Sequence, residues 1–451
     1  MPIAAMVAAV SAGMALPPLT KPIVSLPCPL LAWCSQLPLS KLGGPYMAER
    51  DPSDSLTPDW AASRKLRARE IRRKIVANVA NRTTDMADGP LPLHKSVYID
   101  EARFEAEREH LFLGQPLVAG LSGDIPEPGD YLVFDAAGPS ILVIRGKDGV
   151  VRAFRNLCTH RGAKLVEQAE PFTGKASRIS CPFHAWTFDN LGRLVGQPGK
   201  PGFADCAIGA RDLLELPCSE YLGLIFVRAS EGEPIDAAAH LGDFADQLAL
   251  IELTRAVPVK KGILTADSNW KFALDTYGEG YHFAALHSST IGQTHYNDIS
   301  VLERFGRHHR ISFPDKTIGD LVGRDEAEWP DTEYGGVHYL FPNTVIFFGA
   351  VTPGVYFTQV FRLFPDGVGR TRCQFAVYAP FGIIDEEYRG VCELAYDATA
   401  TVVQTEDYRV ASHGYANLMT APADFHVVLG ANESAPQAVH QHIAEVIGMP
   451  L

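Results

Sequence analysis

Apolar and polar positions alternate with different periods along the chain. Between residues 59 and 82, Leu66, Ile71, Ile75 and Val79 fall near one stripe at helical spacing. Arg64, Lys65, Arg67, Arg69, Arg72, Arg73 and Lys74 fill the remaining positions. This predicts an amphipathic helix docked by its stripe, with the basic residues forming a solvated face. Gly89-Pro90-Leu91-Pro92 ends the segment. From Tyr98 to about Arg228 the pattern changes to short strand-like runs. These include Tyr131-Leu132-Val133-Phe134, Ile141-Leu142-Val143-Ile144 and Leu224-Ile225-Phe226-Val227, with turns at Gly129-Asp130 and Asp148-Gly149. Residues 236–451 mix both patterns. Val355 to Phe364 and Thr371 to Tyr378 read as antiparallel strands joined around Pro365-Asp366-Gly367. A long helix is predicted from about Asp385 to Ala411, with Val391, Leu394, Ala395, Ala398, Val402 and Val403 facing inward.

Residues 1–46 follow neither pattern. They hold eight prolines, carry only Lys21 and Lys41 as charges, and contain no acid. The prolines break every apolar run before it could span a bilayer, and no positive charge precedes Lys21 as a signal peptide would require. The expectation is a disordered, dispensable extension, with Met47 as the natural start and no membrane association.

The 451 residues suffice for two or three domains, and 46% hydrophobic content permits sizeable cores. A net charge of −13 disfavours nucleic-acid binding. Eight cysteines over this length are no disulfide framework and fit a reducing, cytoplasmic compartment.

Two of those cysteines stand in paired motifs, Cys158-Thr159-His160 and Cys181-Pro182-Phe183-His184, separated by 20 residues. Two thiolates and two imidazoles suit a Rieske [2Fe–2S] cluster, in which one iron takes the sulfurs and the other the ring nitrogens. Zinc accepts the same ligand types, but its clips usually pair Cys with Cys and His with His, whereas each clip here mixes them. Arg161-Gly162 and Ala185-Trp186 after the clips fit tight turns capped by an aromatic side chain.

A second constellation lies in the stretch from Asp275 to His287. His282 and His287 are five residues apart, about 140° off one face of a regular α-helix, so a π-bulge or a helix end is needed to aim both at one ion. Two histidines and a carboxylate form the facial triad of non-haem Fe(II) oxygenases. Taken alone, the pair also reads as two satisfied core histidines.

With both motifs present, residues 96–420 resemble the α-subunits of Rieske non-haem iron ring-hydroxylating oxygenases. The resemblance rests on Cys158-x-His160, Cys181-x₂-His184, Trp270-Lys271 and Glu279-x-Tyr281-His282-x₄-His287. It implies that His282 and His287 bind a mononuclear Fe(II). The third ligand falls in Gln404-Thr405-Glu406-Asp407, on Asp407, with Glu406 as the competitor. The resemblance makes Asp275 and Glu279 the candidate catalytic acids. Glu279 is implied to bridge a cluster histidine of one subunit and an iron-ligand histidine of the next.

The resemblance further implies an α+β chain. A small all-β Rieske domain (residues 96–235) precedes a helix-grip catalytic domain (236–451) with an antiparallel sheet and a long C-terminal helix. Residues 47–95 form a helical segment packed on the catalytic domain. The implied activity is hydroxylation of a small, mainly apolar, aromatic or cyclic substrate using O₂. No nucleotide-binding glycine loop is present, so electrons come from a separate NAD(P)H-dependent reductase, directly or through a ferredoxin. The assembly is expected to be a homotrimer or α3β3. Oxidative O- or N-demethylation and Rieske electron transfer without oxygenation are the alternatives. Arg161, Lys164, Lys175, Arg178, Arg193 and Lys200 form a candidate basic patch for an acidic donor.

Overall fold

The computed structural model describes residues 60–135, 138–168, 173–204, 211–330, 334–352, 355–382 and 384–451. The extension expected over residues 1–46 lies outside the described residues. No described helix is long and apolar enough to cross a membrane.

The short apolar runs form strands as their spacing predicts. Asp130–Phe134 and Ile141–Arg145 pair antiparallel, with Phe134 opposite Ile141, and Val151–Arg155 continues the sheet. Glu215–Leu216 and Thr173–Lys175 complete five strands. A three-stranded sheet joins Cys218–Tyr221, Leu224–Val227 and Leu117–Leu121, and a third joins Arg178–Ser180, Thr187–Asp189 and Leu194–Gly196. Val133, Leu142, Ile144, Phe154, Trp186 and Phe188 form a core that includes Cys158 and Cys181. The thiols are therefore fixed by packing.

A seven-stranded antiparallel sheet dominates the second half. Its order is Val257–Ala266, Thr371–Ala379, Val355–Pro365, Thr344–Thr352, Gly336–Leu340, His308–Ser312, Val301–Phe305. The predicted hairpin is present, closed by Pro365 opposite Thr371, with Gly367 at φ +87°. Side-chain alternation separates the two faces. Ile346, Phe348, Val360 and Ala376 join one core with Val118, Leu121, Leu224 and Phe226, which locks the β-rich half to this sheet. On the opposite face Phe361 stacks on Phe375, and Phe375 on Tyr396 of the long helix.

That helix runs from Glu386 to Val402, passes through a π-helical turn at Val403–Asp407, and resumes at Tyr408–Thr420. The Asp385 carboxylate caps its start, accepting from the Tyr388 N–H at 2.8 Å. Its inward stripe differs from the expected one: Leu394 is exposed, and Tyr388, Cys392 and Tyr396 are buried with Val391 and Ala395. The helix also continues nine residues beyond the predicted end.

The basic helix spans Trp60–Asn81. Leu66, placed on the stripe by size, is 62% exposed, whereas Ala68 and Ile71 are buried. Leu66 stands five residues before Ile71, about 140° off its face, whereas Ala68 stands three residues before Ile71 and shares that face. Nor is the basic face simply solvated. Arg64 pairs with Glu252 at 2.7 Å, Arg67 and Lys74 with Glu303 at 2.8 and 2.9 Å, and Arg69 and Arg73 with Glu326 at 2.9 and 2.6 Å. Charge matching to three acids, together with Ala68 and Ile71, holds the helix.

Candidate metal centres

The two Cys/His clips share one backbone design. Cys158 N–H donates to Ala163 O and Gly162 N–H to Cys158 O, both at 2.8 Å; Cys181 N–H donates to Trp186 O at 2.8 Å and Ala185 N–H to Cys181 O at 3.0 Å. Each loop turns through a left-handed residue, Gly162 at φ +77° and Ala185 at φ +55°. The result faces Cys158 with Cys181 and His160 with His184, whose ring centroids lie 4.7 Å apart. Trp186 stacks on His160 at 4.8 Å and braces it. Burial pushes the Cys158 thiol up, while the backbone N–H groups of His160 and Arg161 oppose this by favouring the thiolate. Burial and the neighbouring His184 lower the pKa of His160, which suits a neutral imidazole ligand. These donors fit a cluster with two sulfur and two nitrogen ligands.

Three of the six cations in the candidate donor patch are neutralised. Lys164, Lys175 and Arg193 pair with Asp135, Asp130 and Asp189 at 3.0, 3.3 and 2.6 Å. The exposed feature beside the clips is Phe183, with the Arg161 guanidinium over its ring at 5.0 Å.

The second site is built from two irregular segments. The helix Trp270–Asp275 stops before the histidines, and residues 281–290 follow as turns. This helix end removes the angular mismatch of a five-residue spacing. On the other side, the π turn carries Glu406 and Asp407. Gln404 holds that turn to the sheet edge, accepting from Thr265 N at 3.2 Å and donating to Thr265 O at 2.7 Å. His282 Nε2 and His287 Nε2 lie 3.2 Å apart, and Asp407 Oδ1 lies 3.5 and 3.3 Å from them. Donors about 2.1 Å from one ion and at right angles to each other are separated by roughly 3 Å, so the three edges fit one face of an octahedron.

The other ring nitrogens are also held. His282 Nδ1 faces the Glu279 carboxylate of its own chain, and His287 Nδ1 lies 2.6 Å from Glu406 Oε2, which also accepts from Thr290 Oγ1 at 3.0 Å. Glu406 is therefore neither the third member of the set nor a solvated residue; it orients the His287 ring. Its position beside Asp407 was the available sequence signal. Thr290 gave none. Burial opposes charge on His282, but Asp407 and Glu279 override it and raise its pKa to about 9. Asp407 is lowered against its own burial by both rings.

Asp275 does not join this set. Its carboxylate accepts from Tyr98 Oη at 2.8 Å and faces His440 Nε2 at 3.0 Å. As the last residue of its helix it faces His440 of the C-terminal helix Ser434–Ile447 and not the His282, His287 and Asp407 donors.

The Rieske [2Fe–2S] domain family matches residues 115–208, and the ring hydroxylating alpha subunit (catalytic domain) family matches residues 253–449. The chain is 29% identical over 259 residues to the glycine betaine monooxygenase oxygenase subunit of Chromohalobacter salexigens, covering 56% of this chain and 55% of that one. It is 26% identical over 278 residues to the 2-halobenzoate 1,2-dioxygenase large subunit of Burkholderia cepacia, covering 59% and 54%. The chain thus spans about half the length of these two relatives. Against the carnitine monooxygenase oxygenase subunit of Acinetobacter pittii, identity is 27% over 296 residues, covering 63% and 74%. The fold matches a quaternary ammonium Rieske monooxygenase solved with L-carnitine, at TM-score 0.66 and 22% identity, covering 83% of this chain and 98% of that one. It also matches naphthalene 1,2-dioxygenase from a Rhodococcus species, at TM-score 0.61 and 18% identity, covering 84% and 98%. The two matched domains imply a Rieske [2Fe–2S] cluster and a mononuclear iron. The chain belongs to the α-subunit family of Rieske non-haem iron ring-hydroxylating oxygenases.

Proposed function

We propose that this chain is the terminal oxygenase component of a multicomponent system. In this reading Cys158, His160, Cys181 and His184 hold the Rieske cluster, and His282, His287 and Asp407 hold the mononuclear iron. The observation that carries it is the convergence of two imidazole nitrogens and one carboxylate oxygen within 4.8 Å of one another, in a chain that also carries the paired Cys/His clips. The bound groups supply electron storage at the cluster and O₂ activation at the iron. The protein's part is to present three donors on one face, to hold both Nδ1 atoms with Glu279 and Glu406, and to leave the opposite face for substrate and O₂. Electrons are supplied by a separate NAD(P)H-dependent reductase, directly or through a ferredoxin. The working assembly is a homotrimer or α3β3, in which Glu279 connects the His282 ring to a neighbouring subunit's cluster.

A small, mainly apolar substrate is favoured by the sheet face that carries the Phe361–Phe375 stack. Tyr277 lies 5.0 Å from Phe361 and hydrogen-bonds at 3.0 Å to Tyr408, the residue after Asp407. Phe347 and Phe357, 5.4 Å apart and only partly buried, extend this aromatic surface. A second reading is oxidative demethylation of a quaternary ammonium compound. It is favoured by the glycine betaine and carnitine monooxygenase relatives, and by the ability of aromatic faces to hold a cationic methylammonium group. Turnover under ¹⁸O₂ with an aromatic, a methyl-ether and a quaternary ammonium panel tests both. Labelled ring alcohol supports the first, and formaldehyde release supports the second. Absence of substrate-dependent O₂ uptake on every panel overturns the oxygenase reading.

A further inference from the structure

Asp275, Tyr98 and His440 form a closed group where three distant segments meet. Tyr98 Oη lies 2.8 Å from Asp275 Oδ2 and 3.1 Å from His440 Nε2, and that nitrogen is 3.0 and 3.1 Å from the two carboxylate oxygens. A carboxylate only accepts, so the ring proton of His440 sits on Nε2. Tyr98 and His440 are fully buried, and His440 Nδ1 has no partner among the described residues.

The C-terminal segment touches the metal turn again just beyond. A Cβ on Gly278 would lie 3.0 Å from Pro436 Cδ, so the first turn of Ser434–Ile447 rests on bare backbone there. Gly280 O accepts from Asp298 N at 3.0 Å, and Asp298 Oδ1 in turn accepts from Asn432 Nδ2 at 2.8 Å. The chain from residue 276 to His282 has left its helix, so its course depends on such outside contacts.

We propose that Tyr98 and His440 are positioning residues for the mononuclear metal. Acting through Asp275, they fix the start of the turn whose far end places His282 Nε2 against His287 and Asp407. This rests on the assignment of His282, His287 and Asp407 as the metal site.

Co(II) titration of the full chain tests it, with the mononuclear metal removed and the cluster retained. The visible Co(II) bands report the number and arrangement of donors. His440→Leu and Asp275→Asn are expected to bind Co(II) roughly tenfold more weakly, with shifted bands and unchanged cluster absorption. His440→Gln keeps an N–H for Asp275 and is expected to restore the parental affinity and bands. Tyr98→Phe preserves the shape and removes one hydroxyl, so it tests the same point if His440→Leu does not fold; its affinity should fall in the same direction. Parental affinity and bands in Asp275→Asn and Tyr98→Phe, with only a lowered melting temperature, would overturn the proposal. His287→Ala separates the two levels. Loss of Co(II) binding there leaves the metal-site assignment standing, whereas retained binding overturns that assignment itself.

Discussion

Glu406 Oε2 lies 2.6 Å from His287 Nδ1, while Asp407, next in the chain, places Oδ1 3.3 Å from His287 Nε2. One π turn thus delivers two consecutive carboxylates to opposite edges of the same imidazole. The first fixes the ring, and in the proposed site the second shares its metal.

The two carboxylates should therefore fail differently. Glu406→Gln is expected to weaken mononuclear iron binding by about 10- to 100-fold while excess Fe(II) restores turnover. Asp407→Ala should lose oxygenation at any iron concentration. Iron titration followed by O₂ uptake makes the comparison, and the reverse pattern would move the ligand to Glu406.

Glu279→Gln keeps the side chain's size and removes its charge. Both metals should still bind, and an external donor should still reduce the cluster, but substrate oxidation should fall steeply. Stopped-flow reduction alongside product assay checks this. Parental oxidation would make Glu279 a purely structural acid.

Cys158→Ser and His184→Ala each remove a bond that no neighbour can replace. Both are expected to abolish visible cluster absorption and the Rieske EPR signal. A normal signal in either variant would contradict the cluster assignment.

Acid should destabilise the seven-stranded sheet through His309 and His338. Burial, reinforced by nearby cationic groups, pulls each pKa down to about 3. The unfolded chain takes these protons near pH 6.5 and the folded chain does not, so stability is complete above that pH and is lost as pH falls toward 3. At pH 5 the loss is about 2 kcal/mol per histidine. Denaturant unfolding at pH 7.5 and 5.0 measures it. His338→Gln should lessen the pH dependence, and an unchanged slope would place the sensitivity elsewhere.

On the N-terminal helix, Ile71→Ala should cost about 2–5 kcal/mol as a buried truncation, whereas Leu66→Ala should stay within about 0.5 kcal/mol. Urea unfolding distinguishes them. The pair also shows where the reading of periodicity slipped. Helical spacing found the helix, but Leu66 was placed on the stripe by its size although five residues set it about 140° from Ile71, while small Ala68, nearer that face, is buried. The hairpin at Gly367 and the strands from Tyr131 to Ile144 were legible because alternation and turn chemistry are local. The clips were legible because cluster ligands must be Cys and His at short spacing. The partners of Asp275 and the choice between Glu406 and Asp407 were illegible for the same reason: the role of a carboxylate depends on what faces it. Tyr98 and His440 reach Asp275 across 177 and 165 residues, and no local pattern encodes that meeting.

The most direct test of the oxygenase assignment is iron stoichiometry in His287→Ala, read with single-turnover product formation. The parental chain should hold about three irons, two in the cluster and one in the mononuclear site. His287→Ala should hold about two, keep the Rieske spectrum and form no oxygenated product from a pre-reduced cluster. Full iron content together with product formation in this variant would contradict the account.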